Sequence, residues 1–429
     1  MKHIVLSSFL LCFIFLQTIH AQVLCDRAGF SNGWMLNMNT TEVQTITNAC
    51  AATSASYFRV DFAWSDVQYN GSNSWNWNNI DRIVNASIPN NLDIIAIVDY
   101  FPPWANIESD TTFWFDFVYQ AGLRYIPQGV TVWEMWNEPN LTNFFPNPDV
   151  EKYVNKILKP GSNAIRKAAL ELNTPVVVLT GGLAPAATDG TNIAQLDFVE
   201  GIYDNGGKNY FDGLGQHPYC WPLDPSIPND YNWFLKTEEL YTEMQANGDG
   251  NKKIWGTEMG WPTHTAGQNF VTELEQASYL KKAYDIWNSW DWTGPLIWYA
   301  YNDAGNDPAN PEHHFGLVDN NFIAKPAMDS FAIVTSLCED NVATDLDILV
   351  ESCGIHLYPN PVTDIVTIDG LTHAYTIKIL DSNGVVYRDY SNSNHQISID
   401  IQALPTGLYF IQIQREGFHQ ISHEKILKQ

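Results

Sequence analysis

Positive charge is what this sequence has least of. Among 429 residues, 22 Lys and Arg face 48 Asp and Glu, a formal charge of −26. Phosphate backbones and anionic lipid surfaces repel such a chain, so nucleic-acid binding is not expected. Charged residues reach only 16% while 45% are apolar, which excludes a disordered, charge-rich tail protein. No apolar run approaches the roughly twenty residues that cross a bilayer, so no transmembrane span is expected. No Gly-rich phosphate loop follows the first strand-like run, and no cofactor is expected. Tryptophan, abundant up to Trp298, is missing from everything beyond it. That change of composition marks a domain boundary.

Residues 1–21 read as a secretory signal peptide. Lys2 and His3 precede an apolar run from Ile4 to Leu16, and the small Ala21 stands ahead of a cut before Gln22. A lipid anchor is not expected, because Leu precedes both Cys12 and Cys25. The exported chain keeps Cys25, Cys50, Cys220, Cys338 and Cys353, an odd set that leaves at least one free thiol. Local pairs Cys25–Cys50 and Cys338–Cys353 are expected, each contributing about 3 kcal/mol by chain entropy. Cys220 is then a lone, buried and unreactive thiol.

Residues 22–337 alternate short apolar runs with amphipathic stretches. The strand candidates are Gly29–Leu36, Tyr57–Phe62, Asp93–Asp99, Val130–Trp136, Val176–Thr180, Gly213–Tyr219, Lys253–Glu258 and Leu296–Tyr301. Helical stretches such as Val150–Leu172 and Leu274–Ser289 lie between them. Eight such units predict an α/β fold, a closed (β/α)8 TIM barrel. A doubly wound sheet is the alternative, and it normally carries the phosphate loop that is missing here.

In a (β/α)8 barrel, chemistry sits at the carboxyl ends of the strands. Those ends carry Arg59 and Asp61 through Trp64, then Asp99 and Tyr100, then Trp133 through Asn140. His217 to Tyr219, Thr257 to Trp261 and Trp298 to Asp303 complete the rim. Carboxylates, an amide, an imidazole and indole faces suit a sugar. Cleaving a glycosidic bond needs a proton donor and a carboxylate facing the anomeric carbon, about 5 Å apart when configuration is retained. Glu138 and Glu258, three strands apart, are the candidate pair. Arg59 and Tyr219 are candidate donors that keep one of them ionised. Asn137 offers an amide for a sugar 2-hydroxyl. Glu134 shares parity with Glu138 and reads as a buried structural carboxylate paired with Arg59. His217 can equally satisfy a backbone group in the core. Trp64, Trp104 and Trp261 are balanced between core packing and sugar platforms. Asp303, Asp307, Glu312, His313 and His314 fit no standard ligand spacing, so no metal is expected.

The segment Trp136-Asn137-Glu138-Pro139 and the segment Thr257-Glu258-Met259-Gly260 resemble the strand ends of clan A retaining glycoside hydrolases. With Arg59-Val60-Asp61-Phe62-Ala63-Trp64 upstream, residues 29–336 are most similar to glycoside hydrolase family 39 and its neighbours. The likeness extends to Phe315-Gly316-Leu317-Val318 and Lys325-Pro326-Ala327. It implies Glu138 as acid/base and Glu258 as nucleophile. Asn137, Arg59, His217 and Tyr219 would support them, and Trp298 would floor the cleaved-sugar subsite. The Trp261-Pro262-Thr263-His264 loop matches no one substrate class.

Residues 338–354 read as an acidic linker. Residues 355–429 change to short alternating strands broken by Asn360-Pro361, Asp369-Gly370, Asn383-Gly384 and Thr406-Gly407, the pattern of a small all-β sandwich. Leu357 to Asp364, Leu404 to Tyr409 and the basic end Lys425 to Lys428 resemble the type A C-terminal sorting domain of type IX secretion. The secretion machinery is then one partner and a polysaccharide or oligosaccharide the other, with the protein secreted or at the cell surface. The leading expectation is a retaining, endo-acting β-glycosidase. The alternatives are an exo-acting β-xylosidase-like enzyme and a non-catalytic glycan-binding barrel.

Overall fold

The computed structural model describes residues 27–106 and 109–336, and in the C-terminal part residues 356–358, 362–369, 375–381, 386–392, 396–415 and 421–428. The signal peptide, the linker, Cys25, Cys338 and Cys353 lie outside the described residues. The chain divides into two compact units, 1–341 and 342–429.

The first unit is a closed barrel of eight parallel strands in sequential order. They are β1 (Ala28–Ser31), β2 (Tyr57–Ala63), β3 (Asp93–Asp99), β4 (Val132–Asn137), β5 (Val177–Gly182), β6 (Gly213–Gln216), β7 (Lys253–Met259) and β8 (Thr293–Tyr299). Each is followed by a helix on the outside: α1 (Thr40–Ala51), α2 (Asn78–Ser87), α3 (Thr111–Tyr125), α4 (Lys159–Leu172), α5 (Gln195–Asp204), α6 (Thr237–Ala246), α7 (Glu273–Ser289) and α8 (Pro326–Ser336). Strands covered on both faces need apolar residues at nearly every position, which is why they stood out as continuous runs. Alternate side chains split between two cores. Ile95, Val132, Leu179 and Ile297 pack inside the barrel with Tyr57 and Trp255 beside them. Their strand neighbours, such as Ile94, Trp133, Val178 and Trp298, join the larger core under the helices.

Three strands differ most from expectation, the others by at most two residues at an end. β6 stops at Gln216, because His217 turns its N–H to Leu183 O and Pro218 has none to give. β8 spans Thr293–Tyr299 rather than Leu296–Tyr301, since the carbonyl of Tyr301 turns away to accept from Leu317 and Val318. β1 ends at Ser31, short of Leu36. The stretch 150–172 is helical throughout, but residues Tyr153–Leu158 form a wide π turn directly before Pro160. Tyr153 there is buried, accepts from Gly181 N at 2.8 Å and donates to Met135 O at 2.9 Å, so it ties β4 to β5.

Cys50 and Cys220 are free, buried thiols. The expected Cys25–Cys50 bridge is therefore not formed: Cys50 faces the core from α1, where burial pushes its thiol up.

The second unit has two antiparallel sheets. One orders β13 (Gln396–Asp400), β10 (Ile365–Asp369) and β9 (His356–Tyr358); the other orders β12 (Val386–Asn392), β11 (Tyr375–Asp381), β14 (Gly407–Arg415) and β15 (Ile421–Lys428). Val366, Ile368 and Ile399 from the first share a core with Ile377, Ile379, Ile411 and Ile413 from the second. That period of two is the signature of a sandwich.

Because each unit has its own core, a chain ending at Asn341 is expected to keep the unfolding midpoint of the barrel. Calorimetry of the shortened and full chains checks this; a barrel that melts more than about 5 °C lower, roughly a 3 kcal/mol loss at this size, would mean the units depend on one another.

Candidate active site

The site begins with a distortion at the end of β4. Trp136 and Glu138 both adopt positive φ, 86° and 45°, a region that costs non-glycine residues roughly 1–3 kcal/mol each. The bend is held by Glu138 N–H donating to Gly182 O at 3.1 Å. It leaves Asn137 and Glu138 lining the cleft at the barrel mouth.

Arg59 organises what lies below. Its guanidinium is 1% exposed and uses its donors in four directions. It grips Glu134 bidentately at 2.7 and 3.0 Å and reaches Asn137 Oδ1 at 3.0 Å. It also donates to Ser31 Oγ at 3.2 Å and to Glu258 Oε1. Glu134 further accepts from Gly182 N at 2.8 Å and Thr257 Oγ1 at 3.1 Å, so all its oxygens are used on structure. A fork donor of this kind fixes direction as well as charge.

The two carboxylates above Arg59 have unequal company. Glu258 accepts from Arg59, from Tyr219 Oη at 2.9 Å and from Ser31 Oγ at 3.4 Å. Burial works to raise its carboxyl, but His217, Arg59 and the Tyr219 hydroxyl outweigh it and hold Glu258 below the usual carboxylate range. Glu138 has one side-chain partner among the described residues, His217 Nδ1 at 2.8 Å. The nearest ligating atoms of Glu138, His217 and Glu258 lie within 4.8 Å of one another. Such a trio could also hold a divalent ion, but Arg59 already supplies the positive charge at Glu258. His217 is completely buried, and its Nε2 has no hydrogen-bond partner among the described residues. It rests on Gly182, where a Cβ would come within 2.2 Å of Nε2.

Two further acids face the barrel mouth. Asp61, two residues past Arg59 and on the same side of β2, lines the cleft and is pushed up to about 7, chiefly by burial and then by Glu258 and Glu134 against the pull of Arg59. Asp99, fully buried and with neither oxygen hydrogen-bonded among the described residues, is raised well above the carboxylate range by burial and by Asp61.

The cleft measures about 1050 Å³. Among the residues singled out from sequence, Arg59, Asn137, Glu138, Tyr219 and Glu258 line it, with His217 directly behind. Trp64, Trp261 and Trp298 do not, and the platform expectation for them is corrected. Each is fully buried with its indole N–H satisfied, on Gln68 Oε1, Leu223 O and Phe315 O respectively. Parity explains Trp298: Ile297 points into the barrel, so Tyr299 faces the cleft and Trp298 the helices. Strand alternation alone could have found Tyr299 and Asp61. Trp34, Trp221 and Trp233, which form aromatic walls, come from loops and left no periodic signal.

Comparison with known proteins agrees with this architecture. Residues 356–429 match the family described as Secretion system C-terminal sorting domain. The barrel shares its fold with a family 39 glycoside hydrolase from Bacteroides cellulosilyticus WH2, at 17% identity and TM-score 0.54, covering 92% of this chain and 82% of that one. It is similar to GH5_18 from Streptomyces cattleya in complex with GlcNAc, at 15% identity and TM-score 0.53, covering 75% and 82%. It is also similar to a glucosidase from Croceicoccus marinus, at 10% identity and TM-score 0.59, covering 87% and 93%. In sequence, 150 residues are 27% identical to a probable glucan endo-1,3-beta-glucosidase of Aspergillus oryzae. That alignment takes in 34% of this chain and 28% of the fungal protein's length.

The close seat of His217 on Gly182 generates a test. Gly182→Ala should displace the imidazole and loosen Glu138. Any activity toward glycosides should then fall by about 10²-fold, the scale of an ångström-sized misplacement. Activity as high as in the parent would show that His217 does not position Glu138.

Proposed function

We propose that this protein is a secreted glycoside hydrolase that cleaves β-linked, neutral polysaccharide within the chain and retains anomeric configuration. The observation that carries the reading is the pair Glu138 and Glu258. Their oxygens lie within 4.8 Å across the cleft, each side chain stays 11–13% exposed, and only Glu258 is held by Arg59 and Tyr219. The spacing suits double displacement rather than direct attack by water, which needs a wider gap.

The two roles follow from the unequal surroundings. Glu258, kept ionised, attacks the anomeric carbon. Glu138, sharing a proton with His217, protonates the departing oxygen and then deprotonates the water that releases the sugar. Asn137, its Oδ1 fixed by Arg59, has an Nδ2 engaged only in a long 3.5 Å contact to Tyr100 Oη, and this nitrogen meets the 2-hydroxyl. Asp61, Glu138, Glu258 and Glu312 face the cleft, and its one Arg is already neutralised, so uronate or sulfated polymers would be repelled. The open aromatic walls favour internal cleavage. The fungal relative makes β-1,3-glucan the first polymer to assay. The sorting domain supports release through the type IX machinery, in keeping with a signal peptide at residues 1–21.

A panel of polysaccharides, with product length and anomeric form followed by NMR, tests the reading; an inverted product ends the retaining mechanism. Glu258→Ala should abolish turnover of every substrate, and added azide should give the inverted glycosyl azide. Glu138→Ala should lower glycan cleavage by about 10²–10⁴-fold while sparing aryl glycosides with acidic leaving groups, and azide should give the retained product. Exchanged stereochemistry between the two variants would reverse the assignment.

The acid limb of kcat/KM provides a separate check. Glu258 must be ionised to attack, and its lowered carboxyl keeps the enzyme active into acid. Tyr219→Phe removes one donor, so the carboxyl should rise and the acid limb move up by about one pH unit, equivalent to about 1.4 kcal/mol. An unmoved limb would separate Glu258 from that ionisation.

A further inference from the structure

The barrel has a second hollow, of about 480 Å³, which shares no residue with the cleft. Trp75 and Trp77, just before α2, form one side. Asp116, Gln120, Leu123 and Arg124, on one face of α3, form the other. Trp75 is 36% exposed, a large apolar surface that the fold leaves uncovered. It is nevertheless firmly held. Trp75 stacks on Trp77 at 5.5 Å and 16°, Trp77 on Phe117 at 6.0 Å and 9°, and Phe117 on Trp64 at 5.7 Å and 15°. Four near-parallel rings thus run from the surface to Trp64 and Phe117, both fully buried.

We propose that this hollow is a second glycan-binding site, in which the outer face of Trp75 takes the C–H face of a pyranose in a neutral β-linked polymer; the class of polymer rests on the function proposed above. A ring already locked by its neighbours loses little freedom when a ligand stacks on it, so its contact area converts to affinity with little entropic loss. Polar groups suited to hydroxyls stand opposite. Asp116 is exposed, Gln120 half-buried, and their mutual contact is long at 3.4 Å. Charge argues for a neutral ligand. Arg124 is matched bidentately by Asp81 at 2.9 and 2.5 Å, and Asp116 adds an unmatched negative group. The hollow is an open depression lined by six residues, a size for a sugar unit rather than a protein face. A chain bound there and in the cleft would gain from two attachments to one polymer.

Affinity electrophoresis of the full chain carrying Glu258→Ala, in separate gels containing laminarin, mixed-linkage β-glucan, xylan or galactomannan, tests the proposal. At least one polymer should retard the protein. Adding Trp75→Ala should weaken that binding about tenfold, which corresponds to roughly 1.4 kcal/mol. Gln120→Ala, on the exposed helix face and outside the ring column, should weaken it in the same direction and guards against a folding defect in the Trp variant. In the otherwise unmutated enzyme, Trp75→Ala should raise KM for the polymer and leave kcat and short aryl-glycoside hydrolysis unchanged. No retardation in any of the four gels, or equal retardation with and without Trp75, overturns the site. Retardation that depends on Trp75 in a protein without hydrolytic activity would keep the site and remove the proposed function.

Discussion

The barrel mouth is organised around one buried guanidinium. Arg59, on β2, is reached by the side chains of three other strands: Ser31 from β1, Glu134 and Asn137 from β4, and Glu258 from β7. Burying a charge so completely is tolerable only when each donor has an acceptor and the opposing charges come buried with it. Two carboxylates meet that condition, and they are not equivalent. Glu134 is spent on Arg59, Gly182 and Thr257, whereas Glu258 keeps access to the cleft. One cation therefore does two things: it locks strands together and favours the ionised form of the carboxylate that faces the cleft.

A second consequence is the contrast between Glu258 and its counterpart. If both carboxylates were gripped alike, they would lack the unequal surroundings on which the proposed roles rest. The asymmetry comes from strand geometry. Glu258, one residue before the end of β7, reaches Arg59 directly, while Glu138, itself left-handed, follows the left-handed Trp136 and is swung to His217. The local backbone cost at β4 is the physical origin of that difference.

How much of this was legible in the sequence varied with the kind of signal. A strand such as Asp93–Asp99 is legible because both faces are buried and its apolar run from Ile94 to Val98 is unbroken. The pairing of Arg59 with Glu134 followed from parity and charge. The resemblance assigns the subsite floor to Trp298, but successive residues of a strand face opposite sides, and Tyr299 is the one that meets the cleft. Trp34, Trp221 and Trp233 sit in loops whose course is decided by distant contacts, and no local pattern encodes that. The free Cys50 was hidden for a related reason: spacing suggests a partner, but the facing of α1 turns the thiol inward.

The π turn at Tyr153–Leu158 carries a constraint on how this chain can change. A π turn is an α-helix with one residue too many, and here the surplus sits directly after the tyrosine whose hydroxyl spans Met135 O and Gly181 N. Deleting one residue between Val154 and Leu158 would restore a regular helix and rotate Tyr153 by about 100° relative to α4. The helix would be better formed, yet β4 and β5 would lose their clasp just beneath Glu138. An irregularity of this sort resists being smoothed away: the shorter, locally more stable sequence is the one that forfeits the site.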